Sequence, residues 1–153
     1  MTTLTAASAA RELRGNFVML RADALRLLLP QQDVGSALYL DQAPQATEME
    51  GFFEHGGEAG EHAVLALSSQ MLPLTDYPMD RFLVTPINTS VGEVGFGWSE
   101  VSVLIDVNLQ VHPLPAALVN AKAPLREFVE IAGQVVFCCD SERMADYALA
   151  HGA

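Results

Sequence analysis

The feature that most constrains the fold is a short pattern that occurs twice. Residues 64–76 set two apolar runs, Val64, Leu65, Ala66, Leu67 and Met71, Leu72, Pro73, Leu74, about a polar break at Ser68 and Ser69, and end at Asp76. Apolar runs of strand length about a two-residue polar break read as a β-hairpin. Sixty-four residues further on the pattern returns as Glu130, Ile131, Ala132, Gly133, Gln134, Val135, Val136, Phe137, Cys138, Cys139, Asp140, with Gln134 answering Gln70, Asp140 answering Asp76 and Gly133 answering Ser69. Self-similarity at a fixed offset predicts a fold of two related halves.

The rest of the chain can be read around those hairpins. Phe17, Val18, Met19, Leu20, a polar break through Asp23, then Leu25, Leu27, Leu28, Leu29 and Pro30 predict strand, turn, strand, with Pro30 ending the ladder because it lacks an amide proton. Residues 33–40 follow as a third strand. Arg81, Phe82, Leu83, Val84 and Thr85 replay the Phe17 strand, residues 94–101 replay 25–29, and the Val-, Leu- and Ile-rich residues 102–111 are strongly β-forming. Helix formers in 6–14, with Thr5 as cap and Gly15 as stop, predict a short leading helix; Ser141 is the candidate cap of a closing helix over 141–150. The organisation is therefore a tail or helix at 1–15 and one mainly β domain at 16–150, split near 16–78 and 79–150. Met71, Pro73 and Thr75 alternating with Leu72 and Leu74, and Val135, Phe137 and Cys139 alternating with Val136 and Cys138, make both faces of each strand apolar. Such strands are buried on both faces, which places the hairpins at the seam between halves.

Charge narrows the partners. Eight Lys and Arg stand against nineteen Asp and Glu, a net charge of −11 that repels nucleic acid and anionic membranes and leaves proteins or neutral to cationic groups. No apolar run approaches the roughly 18 residues of a membrane span, and residues 2–14 lack the apolar core of a signal peptide, so a cytoplasmic protein without membrane insertion is expected. The only two cysteines are adjacent, an arrangement that on a strand points them to opposite faces and disfavours a disulfide between them.

Residues 41–62 hold Pro44, Gly51, Gly56, Gly57, Gly60 and six carboxylates (Asp41, Glu48, Glu50, Glu54, Glu58, Glu61), a composition that predicts a long solvated loop pinned only by Phe52 and Phe53. Within it Glu54, His55, Glu58, Glu61 and His62 offer oxygen and imidazole ligands, so the rival to an adaptor is a small-ligand or metal-binding β-barrel using 48–62. Glycines among the ligands leave them unfixed, and the solvated loop is the stronger reading, with no metal and no cofactor. Cys138 and Cys139 lie in an apolar strand without a base, Asp76, Asp106 and Asp140 close strands as turn carboxylates do, and Gly92, Gly95 and Gly97 precede no helix, which leaves an unrecognised hydrolase as a distant third. Trp98 reads as core before interface anchor.

Together these residues resemble the CheW-like family of chemotaxis adaptors over roughly residues 16–148. Val64 to Asp76 follows the order of that family's first hairpin, with Leu67, Pro73 and Asp76 in register; Val103, Leu104, Ile105 and Asp106 resemble its second-half strand ending in Asp, and Gly133 to Asp140 its closing hairpin. The resemblance implies two fused five-stranded, SH3-like small barrels sharing an apolar seam and no catalysis. It also implies a role in joining chemoreceptor cytoplasmic tips to the regulatory domain of a CheA-type histidine kinase, in chemotaxis or pilus-motility signalling. Family members usually carry Arg and then Gly in the first hairpin turn, where this chain has Ser68 and Ser69, and a Glu where Val34, Gly35, Ser36, Ala37 places Ser36. That Glu and that Arg resemble a surface ion pair near the partner-binding face, so Val34, Ser36, Leu38, Ser68 and Ser69 are the candidate partner-binding residues of a divergent adaptor.

Overall fold

The structure, a computed structural model, describes residues 11–40, 44–48, 52–57, 60–68, 74–89, 92–115 and 125–144. Among the described residues eleven strands are formed: β1 (Arg11–Ala22), β2 (Leu25–Pro30), β3 (Leu38–Tyr39), β4 (Gln45–Ala46), β5 (Phe53–Gly57), β6 (Gly60–Ala66), β7 (Leu83–Thr89), β8 (Gly92–Trp98), β9 (Glu100–Pro113), β10 (Glu127–Ile131) and β11 (Gln134–Cys138). They make a closed barrel, β1-β2-β11-β10-β9, and an open sheet of six strands, β3-β7-β8-β6-β5-β4. Mainly β is therefore the fold class, with one five-stranded barrel as expected and a six-stranded sheet in place of the second.

A repeat is present, but in strand order rather than in the register read from the residues. In the barrel the hairpin β1-β2 meets the hairpin β10-β11 through a parallel contact of β2 with β11; in the open sheet the hairpin β7-β8 meets β5-β6 through a parallel contact of β8 with β6. The counterpart of β10-β11 is thus β5-β6, one hairpin earlier than residues 64–76. Of the latter, Val64 to Ala66 end β6, Leu74 N–H donates to Ala66 O at 2.9 Å, and Ser69, Gln70, Met71, Leu72 and Pro73 lie outside the described residues. Strand order also crosses the sequence boundary at 78/79, since the barrel takes strands from both ends of the chain and the open sheet from its middle.

Alternation on strands that are apolar on both faces explains how the sheets join. On β2, Leu25, Leu27 and Leu29 face a cluster shared with Leu65, Leu67, Ile87, Phe96 and Trp98 of the other sheet, while Leu28 faces the barrel interior with Phe17, Val111, Val129 and Val136. On the closing hairpin Phe137 and Cys139 take the shared cluster and Val136 and Cys138 the interior. A third cluster, Leu40, Phe53, Val64 and Val84, fills the far side of the open sheet.

Local chemistry sets the turns. Ile131 pairs with Gln134 across Ala132 (φ 52) and Gly133 (φ 79), the doubly left-handed geometry of a type I′ hairpin. Gly133 adopts it freely and Ala132 does not, so Ala132→Asn is expected to raise stability by up to about 1 kcal/mol, read as a higher urea midpoint at constant slope. On β9 a bulge sets Asn16 opposite both Ile105 and Asp106: Phe17 pairs with Leu104, Gly15 with Val107, and Asp106 (φ 51) donates its N–H to Asn16 Oδ1 at 2.7 Å. The extra residue shifts the alternation, so the inward positions pass from Leu104 to Val107, Leu109 and Val111.

Three expectations are corrected. The leading helix is not formed over 11–14: Arg11 and Leu13 pair with Val111 and Leu109, and Leu13 packs on the barrel core, so tertiary pairing overrides helix propensity there; residues 1–10 lie outside the described set. At the other end residues 141–144 make one helical turn, and its cap is Asp140 rather than Ser141, because Asp140 Oδ1 accepts from Arg143 N–H at 2.9 Å; Ser141 N–H donates instead to Asp33 Oδ2 at 3.1 Å. The acidic stretch 41–62 is not one long loop. Gln45 and Ala46 pair with Glu54 and Phe53, and β5 pairs with β6 from Phe53↔Val64 to Gly57↔Gly60. Phe53 and Val64, opposite one another and both buried, anchor the hairpin from one face, which is all a β-ribbon with a polar outer side requires.

Candidate functional site

Of the five candidate partner-binding residues, three lie together on or beside the β3 edge of the open sheet. Val34 forms a bridge with Ile87, Gly35 N–H donates to Pro86 O at 2.7 Å, Leu38 and Tyr39 pair with Val84 and Leu83, and Leu40 N–H donates to Phe82 O at 2.7 Å. Glycine is required at 35 because a Cβ there would stand 2.6 Å from the Pro86 ring. Val34 and Leu40 are anchors, one against the shared cluster and the other buried in the third, so the segment between them is held at both ends while Ser36, Ala37, Leu38 and Tyr39 face solvent.

Ser68 is half-buried just beyond β6, and Ser69 lies outside the described residues. Between β3 and β6 stand β7 and β8, so the route along the sheet from Ser36 to Ser68 spans three strand spacings, roughly 14 Å. The two serines are therefore not neighbours along the sheet.

Residues that the sequence reading did not single out complete the surface. Tyr39 (66 % exposed) and Phe82 (38 %) set their rings 5.3 Å apart, flanked by Leu38 (45 %) and Met79 (90 %). Asp80, next to Met79 in the chain, is exposed as well. Exposed apolar groups gathered in this way, with a carboxylate next to them in the chain, are of the kind that marks interaction sites. Its sequence signal was the uncharged run Val34, Gly35, Ser36, Ala37, Leu38, Tyr39, Leu40 in a chain carrying −11.

Behind the patch a buried polar network fixes the segment that displays Met79 and Phe82. Arg81 is fully buried; its Nη2 lies 3.0 Å from Asp23 Oδ2 on the β1-β2 turn, and its Nη1 reaches Gly97 O at 3.5 Å. The Tyr77 hydroxyl donates to Arg81 O and sits so close over Gly97 that any side chain there would collide with it. Burial pushes the Tyr77 hydroxyl up to about 12, with Arg81 opposing and Asp80 adding to the rise.

The thiols show the same direction. Burial, with Glu127 adding, pushes Cys138 up to about 11, and burial pushes Cys139 up to about 12 against a backbone hydrogen bond from Asp140. Thiols raised in this way stay protonated at neutral pH and are poor nucleophiles. Because all three groups favour the neutral form when folded, their contribution is fully present below their ordinary values of 9.0 and 10.0 and is lost as pH rises through the folded ones. Urea midpoints are accordingly expected to fall between about pH 9 and 12, and Tyr77→Phe is expected to remove part of that decline.

For the metal-ligand set, the hairpin places His55 directly across from His62 and Glu61 across from Gly56; Glu54 is exposed and Glu58 lies outside the described residues. Among the described residues no three His, Cys, Asp or Glu groups converge on one point.

Comparison with known proteins yields one kind of match. No family model matches the sequence, and no curated protein matches it. Among solved structures, the chain is similar to the scaffolding protein TtCheW from Thermoanaerobacter tengcongensis, at 12 % identity and a TM-score of 0.56, over 82 % of this chain and 88 % of that one. The architecture is thus a CheW-like fold.

Proposed function

We propose that this protein is a non-enzymatic adaptor of the CheW type, joining chemoreceptor-type sensors to the regulatory domain of a CheA-type histidine kinase in the cytoplasm. The observation that carries the reading is a CheW-like fold whose open sheet exposes Leu38 and Tyr39 on an edge strand with Met79 and Phe82 on the segment leading into β7, an arrangement suited to binding protein, while neither cysteine is an activated nucleophile. Val34 and Leu40 hold that edge in place, Ser36 and Leu38 contact the partner, and Ser68 marks a separate region. No helix among the described residues is long and apolar enough to cross a membrane. Reconstitution tests the reading: a receptor cytoplasmic fragment and a CheA-type kinase should sediment together only when this chain is added. Kinase that sediments equally without it would refute the role.

The metal-binding alternative has one observation in its favour, the cross-strand placement of His55 and His62. Calorimetry with zinc is expected to show no stoichiometric site. A one-to-one site abolished by His55→Ala or His62→Ala would establish the alternative.

A further inference from the structure

The closed barrel has no free edge, so among the described residues the open sheet offers the edges, β3 on one side and β4 on the other. The two are protected very differently. Gln45 of β4 pairs with exposed Glu54, and exposed Glu48 follows it, which is how natural sheets ward off an added strand. Residues 34–40 carry no charge at all in a chain of net −11, and show solvent Leu38 and Tyr39. Leu40 N–H points at β7, where it meets Phe82 O, and the pairing of Leu38 with Val84 lies two residues away in the same phase. Alternation then turns the backbone groups of Tyr39 to the outer side of the sheet.

We infer that the β3 edge is a docking site for an extended segment of a partner protein, which adds a strand beside residues 38–39, lays aliphatic side chains on Tyr39, Phe82 and Met79, and places Lys or Arg against Asp80. Main-chain hydrogen bonds supply affinity in this mode and the side-chain patch supplies selection. Charge decides the occupant: two copies of a −11 chain meeting edge to edge would bring like net charges together, whereas a cationic segment meets an opposite one. The inference rests on the adaptor reading only in taking the partner to be a protein, and its test requires neither kinase nor receptor.

The full chain, isotopically labelled, is titrated with two synthetic peptides, one alternating Val with Lys and the other alternating Val with Glu, while amide shifts and hydrogen exchange are followed. The Lys peptide is expected to shift and protect the amide of Tyr39, to bind at least tenfold more weakly to Tyr39→Ser and to Asp80→Lys, and to bind at least tenfold more tightly than the Glu peptide. Both variants alter exposed side chains, and their unchanged spectra elsewhere would report an intact fold. Protection appearing at Gln45 and Ala46 instead, binding indifferent to the sign of the peptide, or concentration-dependent protection of the Tyr39 amide in protein alone would overturn the inference, the last by showing that a second copy is the occupant. Peptide binding at β3 together with failure of the reconstitution would leave the edge intact and remove the chemotaxis role.

Discussion

Asp23→Ala is expected to lower stability by about 2–4 kcal/mol, whereas Arg81→Met is expected to leave it within about 1 kcal/mol of wild type or to raise it. The asymmetry follows from where the two charges sit. Arg81 is fully buried and Asp23 is 54 % exposed, so removing the carboxylate strands a guanidinium away from water, while removing the guanidinium leaves a carboxylate that water can solvate. Solvent screening of the exposed partner trims the loss from the value for a wholly buried pair. The network is also incomplete: Arg81 Nε has no hydrogen-bond partner, and Asp80 stands 3.9 Å from it. An unbranched apolar side chain of similar reach therefore replaces a costly desolvation with packing. Urea unfolding of the two variants and of their combination measures this, and the double variant should resemble Arg81→Met, since the penalty of Asp23→Ala exists only while the arginine is present. Equal losses in both single variants would mean that the ion pair is a net stabiliser.

The largest loss is expected at the junction of the sheets. Trp98 is fully buried, stacks on Phe96 with ring centroids 6.1 Å apart and donates its indole N–H to Thr85 Oγ1 at 2.8 Å. Trp98→Ala should cost about 3–5 kcal/mol through lost transfer energy and the cavity left among Leu27, Leu65 and Ile87. Against a total stability of typically 5–15 kcal/mol, that is enough to populate unfolded chains near physiological temperature. Trp98→Phe should cost less, about 1–3 kcal/mol, because the ring is partly replaced while the buried Thr85 hydroxyl loses its donor. Thermal melts by circular dichroism give both values. A small effect of Trp98→Ala would show that the sheets do not depend on this junction.

Sequence reading succeeded where one strand's own residues decide its environment. Val135 to Cys139 read as apolar on both faces, and that strand bridges the barrel interior and the shared cluster, as β2 does beside it; of the matching stretch 71–75, residues 71–73 lie outside the described residues. The Gly133 turn was legible because its backbone requirement is local. What stayed hidden was set by partners distant in sequence. The hairpin β5-β6 was hidden by the glycines and carboxylates in its sequence, and Phe53 facing Val64 shows why it forms. Arg81 was taken for an ordinary strand residue, since nothing nearby in sequence reveals a carboxylate 58 residues away on another turn. The repeat was seen at the wrong hairpin because hydrophobic order alone cannot tell which strand makes the parallel contact. Within the candidate site Ser36 and Leu38 were found through the resemblance, while Tyr39, Met79 and Phe82 emerged only when β3 was laid beside β7.

The account stands most directly on whether the β3 surface binds the kinase. Isothermal titration of the purified chain into the regulatory domain of a CheA-type kinase should give saturable one-to-one binding. The Leu38→Asp variant, which puts a charge on the exposed face of the β3 edge without altering the anchors Val34 and Leu40, should bind at least tenfold more weakly at unchanged stability. Absence of binding by the wild-type chain, or equal affinity of the two proteins, would contradict it.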